Sequence, residues 1–459
     1  MDKSHFYIEP SLQEFLEDRE RVAKVVKGFG AFLKNRWNAE LPTQQAFSLC
    51  PLICSKEFLI KDWTPKLLKA IDTVRRVVLA NLSDSFEPTL TQLVGNFPIN
   101  RERLKWELSR PGGAVFARPD VVVNSDGTSR ILELNLGPGF AGMFWCEQLL
   151  GLYRSEPLLN SLFQKAKISF SSPYLDFSKF LDQRESKTVA VLETGLPYMF
   201  SQATTEYLNR YRKNGRTLSV GHYELEPQER NLEVDRCQID TIYPNVLPHY
   251  FNEQFLAPIW KSEVQGQVKI LGQHLDAILG AKSSLVLCYQ LAQRNKLSAN
   301  EKSLIESWVP PGILAANGKA FWKGNEIDTK SFCLSNQKNL VLKRAVGEQA
   351  NGLTIGNAVS ASNWLDKIEA AFTDEKNRWI VQEYVPHPIV QNYYWDRGEE
   401  KVKLIEAGFH VCAFVFGNLT SLGIRMGTSK DQKAPLVGPD DGSCSINLIG
   451  LSEKGIYLE

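Results

Sequence analysis

Three oxygen-bearing side chains and an arginine occur together between residues 118 and 135. The segment reads Arg118-Pro-Asp120, then a turn, then Glu133-Leu-Asn135. Glu133 and Asn135 are two residues apart on a predicted strand, so their side chains leave the same face. Hard oxygen donors without neighbouring Cys or His suit Mg²⁺, which often shares its coordination with substrate phosphates. The residue types therefore indicate phosphate chemistry assisted by magnesium.

A tight turn connects the two halves of this segment. An Asp-Gly pair, Asp126-Gly127, lies between apolar strand candidates and favours a β-hairpin. Antiparallel pairing would bring the Asp120 carboxylate beside that of Glu133, where the two charges repel unless a cation lies between them. Arg118, two residues before Asp120 on the same face, adds positive charge that suits a phosphoryl or acyl-phosphate group.

Carboxylates on a hairpin have a simpler interpretation, in which both are solvated surface charges. The neighbouring residues, Val121–Val123 and Ile131–Leu134, are apolar on both faces of the predicted strands. Such strands are expected to be buried, and a buried carboxylate without a partner is costly. The pattern therefore favours a metal site over two solvated charges.

Two further basic residues end predicted strands far along the chain. Lys343 follows the apolar run Leu340–Leu342, where its ammonium group could reach a phosphate as a point charge. Arg425 ends one strand of a second predicted hairpin, which turns at Gly417-Asn418. We expect Arg425 to contact a phosphate or acyl phosphate, although a salt-bridged surface arginine fits the pattern equally well.

The Arg-x-Asp, turn, Glu-x-Asn pattern, followed by Gly and Pro, resembles the magnesium segment of ATP-grasp ligases. That family includes D-alanine–D-alanine ligase and glutathionylspermidine synthetase. The resemblance implies that Asp120, Glu133 and Asn135 hold Mg²⁺ against the phosphates of ATP. It also implies that Lys343 and Lys282 contact the nucleotide, although a lysine at the start of a predicted helix is common on any protein surface.

Two more segments are similar to parts of the same family. The loop at 346–353 resembles the one that covers the ATP phosphates, with Gly347 and Gly352 as its glycines, but the family's loop is usually richer in glycine. A strand at 379–382 leads into residues that match the adenine-binding segment: Gln382, Glu383, Tyr384 and Val385. In the family this segment binds adenine through main-chain hydrogen bonds, here at Glu383 and Val385, whereas the pattern alone is that of an ordinary strand end.

The order of these segments differs from that of most ATP-grasp chains. The lysine-bearing part usually comes first, whereas here Asp120–Asn135 precedes Lys343. Circular permutation is the simplest explanation, and glutathionylspermidine synthetase and several natural-product peptide ligases share this order. The expected fold is therefore α/β (α+β), a circularly permuted ATP-grasp fold.

Four regions are predicted along the chain. Residues 1–110 are mostly helical, and 111–186 form the ATP-grasp part with the magnesium segment, irregular over 155–186. A strand–helix–strand pattern predicts a small parallel-sheet pre-ATP (substrate) domain over 187–280. No Gly-x-Gly-x-x-Gly follows its first strand, so a Rossmann cofactor site is not expected. Residues 281–459 form the nucleotide-binding part.

The resemblance implies a carbon–nitrogen ligase that converts ATP to ADP and phosphate. A substrate carboxylate would take the γ-phosphate, and a nucleophile, most often an amine, would displace phosphate from the acyl phosphate. The expected partners are a small-molecule or peptide carboxylate and an amine acceptor, and homodimerisation is left open. The alternatives are an ATP-grasp phosphotransferase and a nucleotide-binding scaffold with a decayed site. His387 and His410 fit a pocket lining, but ordinary packing is the simpler interpretation.

Composition argues against several other classes of function. The 459 residues include 53 Lys and Arg against 52 Asp and Glu, so no general basic surface for nucleic acid is expected. The N-terminus has no apolar signal region and the apolar stretches are short for a membrane span, so a cytoplasmic protein without membrane partners is expected. The eight cysteines are scattered, only Cys50 and Cys54 are close together, and the six histidines form no partner cluster of the usual zinc-site spacing. This spacing favours free thiols in a reducing compartment over a zinc site.

Overall fold

The protein is a mixed α/β structure with several sheets. The computed structural model describes residues 5–37, 46–48, 50–97, 99–110, 115–137, 142–193, 198–221, 226–227, 232–234, 236–244, 253–272, 274–347, 352–396, 399, 401–427 and 444–453. Its strands are, in chain order, β1 (Phe6–Tyr7), β2 (Ala46–Ser48), β3 (Leu52–Ser55), β4 (Phe116–Val123), β5 (Ser129–Leu136), β6 (Ile168–Phe170), β7 (Thr188–Glu193), β8 (Arg216–Gly221), β9 (Glu226–Pro227), β10 (Leu232–Val234), β11 (Cys237–Ile239), β12 (Thr241–Tyr243), β13 (Lys269–Ile270), β14 (Gly312–Leu314), β15 (Lys319–Trp322), β16 (Asn325–Asp328), β17 (Leu340–Arg344), β18 (Thr354–Ile355), β19 (Trp379–Glu383), β20 (Ile389–Asp396), β21 (Lys401–Phe416), β22 (Leu419–Gly427) and β23 (Cys444–Ser452).

Helices occur between these strands along much of the chain. In chain order they are α1 (Leu12–Glu17), α2 (Arg19–Trp37), α3 (Thr64–Asp84), α4 (Phe86–Val94), α5 (Arg101–Leu108), α6 (Met143–Ser155), α7 (Pro157–Lys165), α8 (Pro173–Gln183), α9 (Tyr198–Tyr211), α10 (Glu253–Val264), α11 (His274–Leu279), α12 (Lys282–Gln293), α13 (Ala299–Trp308), α14 (Thr329–Ser335) and α15 (Ala361–Thr373). A π-helical segment, Glu57–Trp63, leads into α3, and short 3₁₀ turns occupy Gln337–Asn339 and Gly356–Ala358. None of the helices in the described ranges is both long and apolar enough to cross a bilayer.

Helix α3 lies in the region 1–110 that was predicted to be mostly helical. Leu67, Ile71, Val74 and Val78 recur at helical spacing and are fully or almost fully buried. They belong to the same hydrophobic core as side chains of β4, β5 and β21. This helix therefore supports the sheet that carries Asp120 and Glu133.

A branched ten-stranded sheet is assembled from distant parts of the chain. Its main path runs β1-β3-β23-β22-β21-β20-β2, while β4 pairs with β21 and β5, and β6 pairs with β23. The branch arises because β21 is 16 residues long: its first half pairs with β20 and its second half with β4. Strands β1, β2 and β3 come from the mostly helical N-terminal region, so this region also contributes to the sheet.

Two smaller sheets follow the expected local order. Strands β7, β8, β12 and β13 pair in parallel, which confirms the strand–helix–strand prediction, and α9 connects β7 to β8. The strands predicted to end at Leu342 and Gln382 are confirmed as β17 and β19, which lie on either side of α15 in the sequence, and the structure shows that they pair antiparallel.

The prediction that 155–186 is irregular is wrong. This segment contains α7, β6 and α8. The helix starts carry ordinary signals, since the side chains of Glu156 and Ser172 cap α7 and α8 and a proline follows each. Strand β6 was missed because its partner, β23, lies almost 300 residues away and leaves no local pattern.

Candidate functional site

The predicted carboxylate hairpin is present as β4 and β5. Arg118 lies opposite Asn135, and Asp120 lies opposite Glu133, so all four side chains belong to one face of the sheet. The turn depends on Gly127, whose φ of +82° is readily available only to glycine. The strand register shifts between Asp120 and Val121, which marks a β-bulge. Bulges of this kind often re-aim side chains beside functional sites.

Strands β21 and β22 extend the same face. Cys412 lies opposite Asp120 across the β4–β21 pair, and His410 lies two residues earlier on β21. Arg425 on β22 is directly opposite His410. The predicted second hairpin therefore brings Arg425 to the first one, as a functional role for Arg425 requires.

Asp120 is buried among cationic and imidazole groups, with only 4% of its surface exposed. Arg118 Nε lies 3.2 Å from Oδ1, and Arg425 Nη1 lies 3.4 Å from Oδ2. Burial by itself raises the pKa of a carboxyl group, but Arg118, His410 and Arg425 outweigh it, so the pKa of Asp120 lies well below its ordinary value. Asp120 is therefore an anion at neutral pH.

Glu133 is paired with the lysine predicted at the start of α12. Lys282 Nζ lies 2.9 Å from Glu133 Oε1 and donates to the carbonyl oxygen of Gly347 at 2.9 Å. Asn135 donates its amide nitrogen to the carbonyl oxygen of Arg118 at 3.1 Å, which directs its amide oxygen away from that strand. Lys282, Glu133 and Gly347, which belong to separate segments of the chain, thus lie together.

Lys343 reaches the hairpin from the β17–β19 sheet. Its ammonium group donates to Gln382 Oε1 at 2.7 Å and to the carbonyl oxygen of Leu132 at 3.3 Å. Burial lowers the pKa of Lys343 to about 8, although the Glu133 and Asp120 carboxylates act in the opposite direction. The buried Gln382 Nε2 has no hydrogen-bond partner among the described residues. An orphaned donor beside a buried lysine is a natural contact for a bound ligand.

Two histidines adjoin Asp120, and sequence reasoning treated them as packing. His410 Nε2 lies 3.7 Å from Asp120 Oδ2, and His410 Nδ1 lies 3.3 Å from His387 Nε2. Burial is the largest cause that lowers the pKa of both imidazoles, to about 3 for His387. The signal that could have identified His410 is its place opposite Arg425 in the second predicted hairpin.

The structure gives less support for the predicted adenine-binding segment and phosphate-covering loop. Glu383 pairs with Lys323, and its main-chain nitrogen donates to the Pro311 carbonyl oxygen at 2.8 Å. The main-chain nitrogen of Tyr384 donates within the fold as well, so neither nitrogen is available to adenine, and contact through Val385 or the Glu383 carbonyl stays a prediction. Gly352 is described, with a φ of +80°, but residues 348–351 of the predicted loop lie outside the described residues.

The charges of this site do not cancel. Among the residues that the structure describes, four cations and two carboxylates meet there: Arg118, Lys282, Lys343, Arg425, Asp120 and Glu133. The six groups sum to +2, and the two histidines beside them are neutral because their pKa values are lowered. A partly buried cluster with excess positive charge favours an anionic ligand that carries several charges.

No protein-family model and no curated protein matches the chain. Among solved structures it is similar to a glutathione synthetase-like effector from Globodera pallida in its apo form. The TM-score is 0.58 at 11% identity, over 97% of this chain and 99% of that chain. At this identity the likeness shows a shared fold and is consistent with the ATP-grasp prediction. Circular permutation and the four domain bounds stay predictions.

Proposed function

We propose that the protein is an ATP-dependent carboxylate–amine ligase that forms an amide or peptide bond through an acyl phosphate and releases ADP and phosphate. The observation that carries the proposal is the excess positive charge around Asp120 and Glu133. Lys343 from a second sheet and Lys282 from the start of α12 face two hard carboxylates, an arrangement that suits a metal–polyphosphate complex. The description of the structural neighbour as glutathione synthetase-like supports ligation over simple phosphate transfer.

The donor set fits Mg²⁺. Asp120, Glu133 and the amide oxygen of Asn135 are hard oxygen donors on one sheet face. Lys282 pairs with Glu133, and two arginines pair with Asp120. The bound ion would neutralise charge on the ATP phosphates, which makes the γ-phosphate more open to attack.

The cationic residues would then have two roles: the lysines would contact the ATP phosphates, and the arginines would contact the acyl phosphate. Lys343 and Lys282 hold ATP by charge, and Lys282 moves from Glu133 toward a phosphate. Arg118 and Arg425 contact the Asp120 carboxylate, where they can stabilise the negative charge of the acyl phosphate. No side-chain nucleophile takes part, because the substrate carboxylate and amine react with each other.

Replacing Glu133 tests this assignment. Glu133→Gln keeps the shape of the side chain but removes the charge that would bind Mg²⁺, so we expect ATP turnover to fall at least about 100-fold, as for loss of one strong electrostatic contact. The matched control is Glu326→Gln, which breaks an exposed pair with Lys319 and should leave turnover unchanged. The measurement is ADP release, stimulated by a panel of amino acids, short peptides and polyamines. Normal turnover by Glu133→Gln would contradict the metal assignment.

Product analysis separates ligation from the alternatives. With labelled ATP, a ligase gives free phosphate together with a new amide. A stable phosphorylated product identifies a phosphotransferase instead. Calorimetric binding of ATP without any dependence on Mg²⁺, and without turnover of any panel substrate, identifies a scaffold.

A further inference from the structure

Three buried side chains of different donor type converge on the candidate site. One ligand atom each from Asp120, His410 and Cys412 lies within 4.8 Å of the other two. Strand register explains the convergence, since Cys412 is opposite Asp120 and His410 lies two residues from Cys412 on the same face. All three residues are at most 4% exposed. A carboxylate oxygen, an imidazole nitrogen and a sulfur atom thus lie close together in a buried part of the protein.

His410 provides a second, independent indication. Its Nε2 atom is buried, points at Asp120 Oδ2 from 3.7 Å, and has no hydrogen-bond partner within the described part of the chain. Its other nitrogen, Nδ1, lies 3.3 Å from His387 Nε2. Metal-bound histidines commonly have this arrangement, with one nitrogen on the ion and the other held by a neighbouring polar group.

We propose that Asp120, His410 and Cys412 form a binding site for a first-row transition metal ion, represented by Zn²⁺. Zinc takes oxygen, nitrogen and sulfur donors together, whereas Mg²⁺ takes oxygen. Ligand atoms of a tetrahedral zinc site are about 3.3–3.8 Å apart, given its usual bond lengths. The observed separations therefore need side-chain adjustments of at most about 1.5 Å by the same geometry. Cys412 binds as the thiolate and releases its proton to solvent.

The neighbouring arginines contact Asp120 and therefore compete with a metal ion for its carboxylate oxygens. Arg425 contacts Asp120 Oδ2, the oxygen that faces His410, and so competes with the ion. Arg118 contacts both oxygens, through Nη2 to Oδ2 at 3.4 Å and through Nε to Oδ1 at 3.2 Å, so its Nη2 must also leave Oδ2 while its Nε can stay as the outer partner of a metal-bound carboxylate. Zn²⁺ would thus take Asp120 from the proposed magnesium position and should inhibit ligation. The site itself does not depend on the ligase proposal, because the ion can be measured without ATP.

Metal binding by the full-length protein tests the site directly. We expect metal-free protein to bind one Zn²⁺, and one Co²⁺ with thiolate-to-cobalt charge-transfer absorption. Cys412→Ser and His410→Phe should each weaken Zn²⁺ binding at least about tenfold. Loss of a residue that only hydrogen-bonds to a metal ligand already costs about that much affinity, and loss of a ligand should cost no less. Cys288→Ser is the matched control, since Cys288 is equally buried but contacts the Val74 carbonyl, and it should bind as the unaltered protein does.

The variant Arg425→Ala is expected to change Zn²⁺ affinity in the opposite direction. Removing the competing guanidinium should strengthen Zn²⁺ binding, even though the same change harms the proposed ligation. The absence of stoichiometric Zn²⁺ and of the cobalt absorption in the unaltered protein would overturn the proposal, and this result does not depend on whether any variant folds. Undiminished binding by a folded Cys412→Ser variant, checked by circular dichroism, would overturn it as well.

Discussion

Lys343 is the single residue through which pH should act most directly on the site. Burial lowers its pKa to about 8, against an ordinary value of 10.5. In the range between these values the unfolded chain binds the extra proton, so stability attributable to this group rises with pH through that window. At neutral pH the buried ammonium therefore costs stability, which is consistent with a residue kept for binding an anion.

Nucleotide affinity should follow the charge of Lys343. Between pH 7 and pH 9 the free protein loses most of this charge, so we expect Mg²⁺–ATP to bind up to about tenfold more weakly at pH 9. Lys343→Arg stays charged throughout and should lose much less affinity over the same range. Isothermal titration calorimetry at the two pH values provides the measurement. A parallel loss of affinity in both proteins would show that another group is responsible.

Residue-level predictions from sequence succeeded where the signal was local. Asp120, Glu133 and Asn135 share a hairpin, and their relative placement follows from an Asp-Gly turn and a two-residue period. His410 and Cys412 were missed as partners of Asp120 because about 290 residues separate them in the chain. Their meeting depends on which strands pair and in which register, and a single sequence does not specify either.

Among the elements, the contact between α12 and β5 sets the distance between Lys282 and Glu133. Gly280, just before the helix, approaches the backbone of β5: a Cβ atom there would lie 3.0 Å from the Leu134 carbonyl oxygen and 3.1 Å from the Leu136 nitrogen. These contacts are with main chain, which cannot rotate away as a side chain can. The absence of a side chain at Gly280 therefore allows the lysine to reach the hairpin.

Adding side-chain atoms at Gly280 should move α12 away from β5. We expect Gly280→Ala to weaken ATP binding several-fold and Gly280→Val to weaken it further, because overpacking shifts backbone positions. The control is Gly151→Ala in α6, where a Cβ atom has no neighbour within 4 Å. It should leave ATP binding unchanged and gain about 0.5–1 kcal/mol of stability from helix propensity. Equal ATP affinity across all three variants would contradict this role of Gly280.

At the scale of the whole molecule, a buried charge network connects the N-terminal helices to the parallel-sheet unit. Arg103 in α5 pairs with Glu107 at 2.7 Å and with Glu263 in α10. Glu107 also accepts from the main-chain nitrogen of Leu275 at 2.7 Å, and Glu263 from that of Ile270 at 3.1 Å. Two chain regions about 160 residues apart in sequence thus depend on one guanidinium.

Removing this guanidinium should destabilise the protein strongly. Arg103→Ala leaves two buried carboxylates without their cation, which typically costs about 3–5 kcal/mol of folding free energy. Arg101→Ala, two residues away, breaks an exposed pair with Glu87 and should cost less than about 1 kcal/mol. Urea unfolding followed by circular dichroism measures both variants. Similar midpoints for the two would mean that the buried network contributes little to stability.

The position of β23 has a consequence for how the protein is made. This strand, Cys444–Ser452, lies between β22 and β3, and β3 ends at Ser55. Ribosomes add about 5–20 residues per second, so roughly 20–80 seconds separate the synthesis of β3 from that of its partner. During that time β3 has an unpaired edge, which in any protein can template association with other chains. The large sheet, and the site on its face, can be completed only when nearly all of the described chain has been translated.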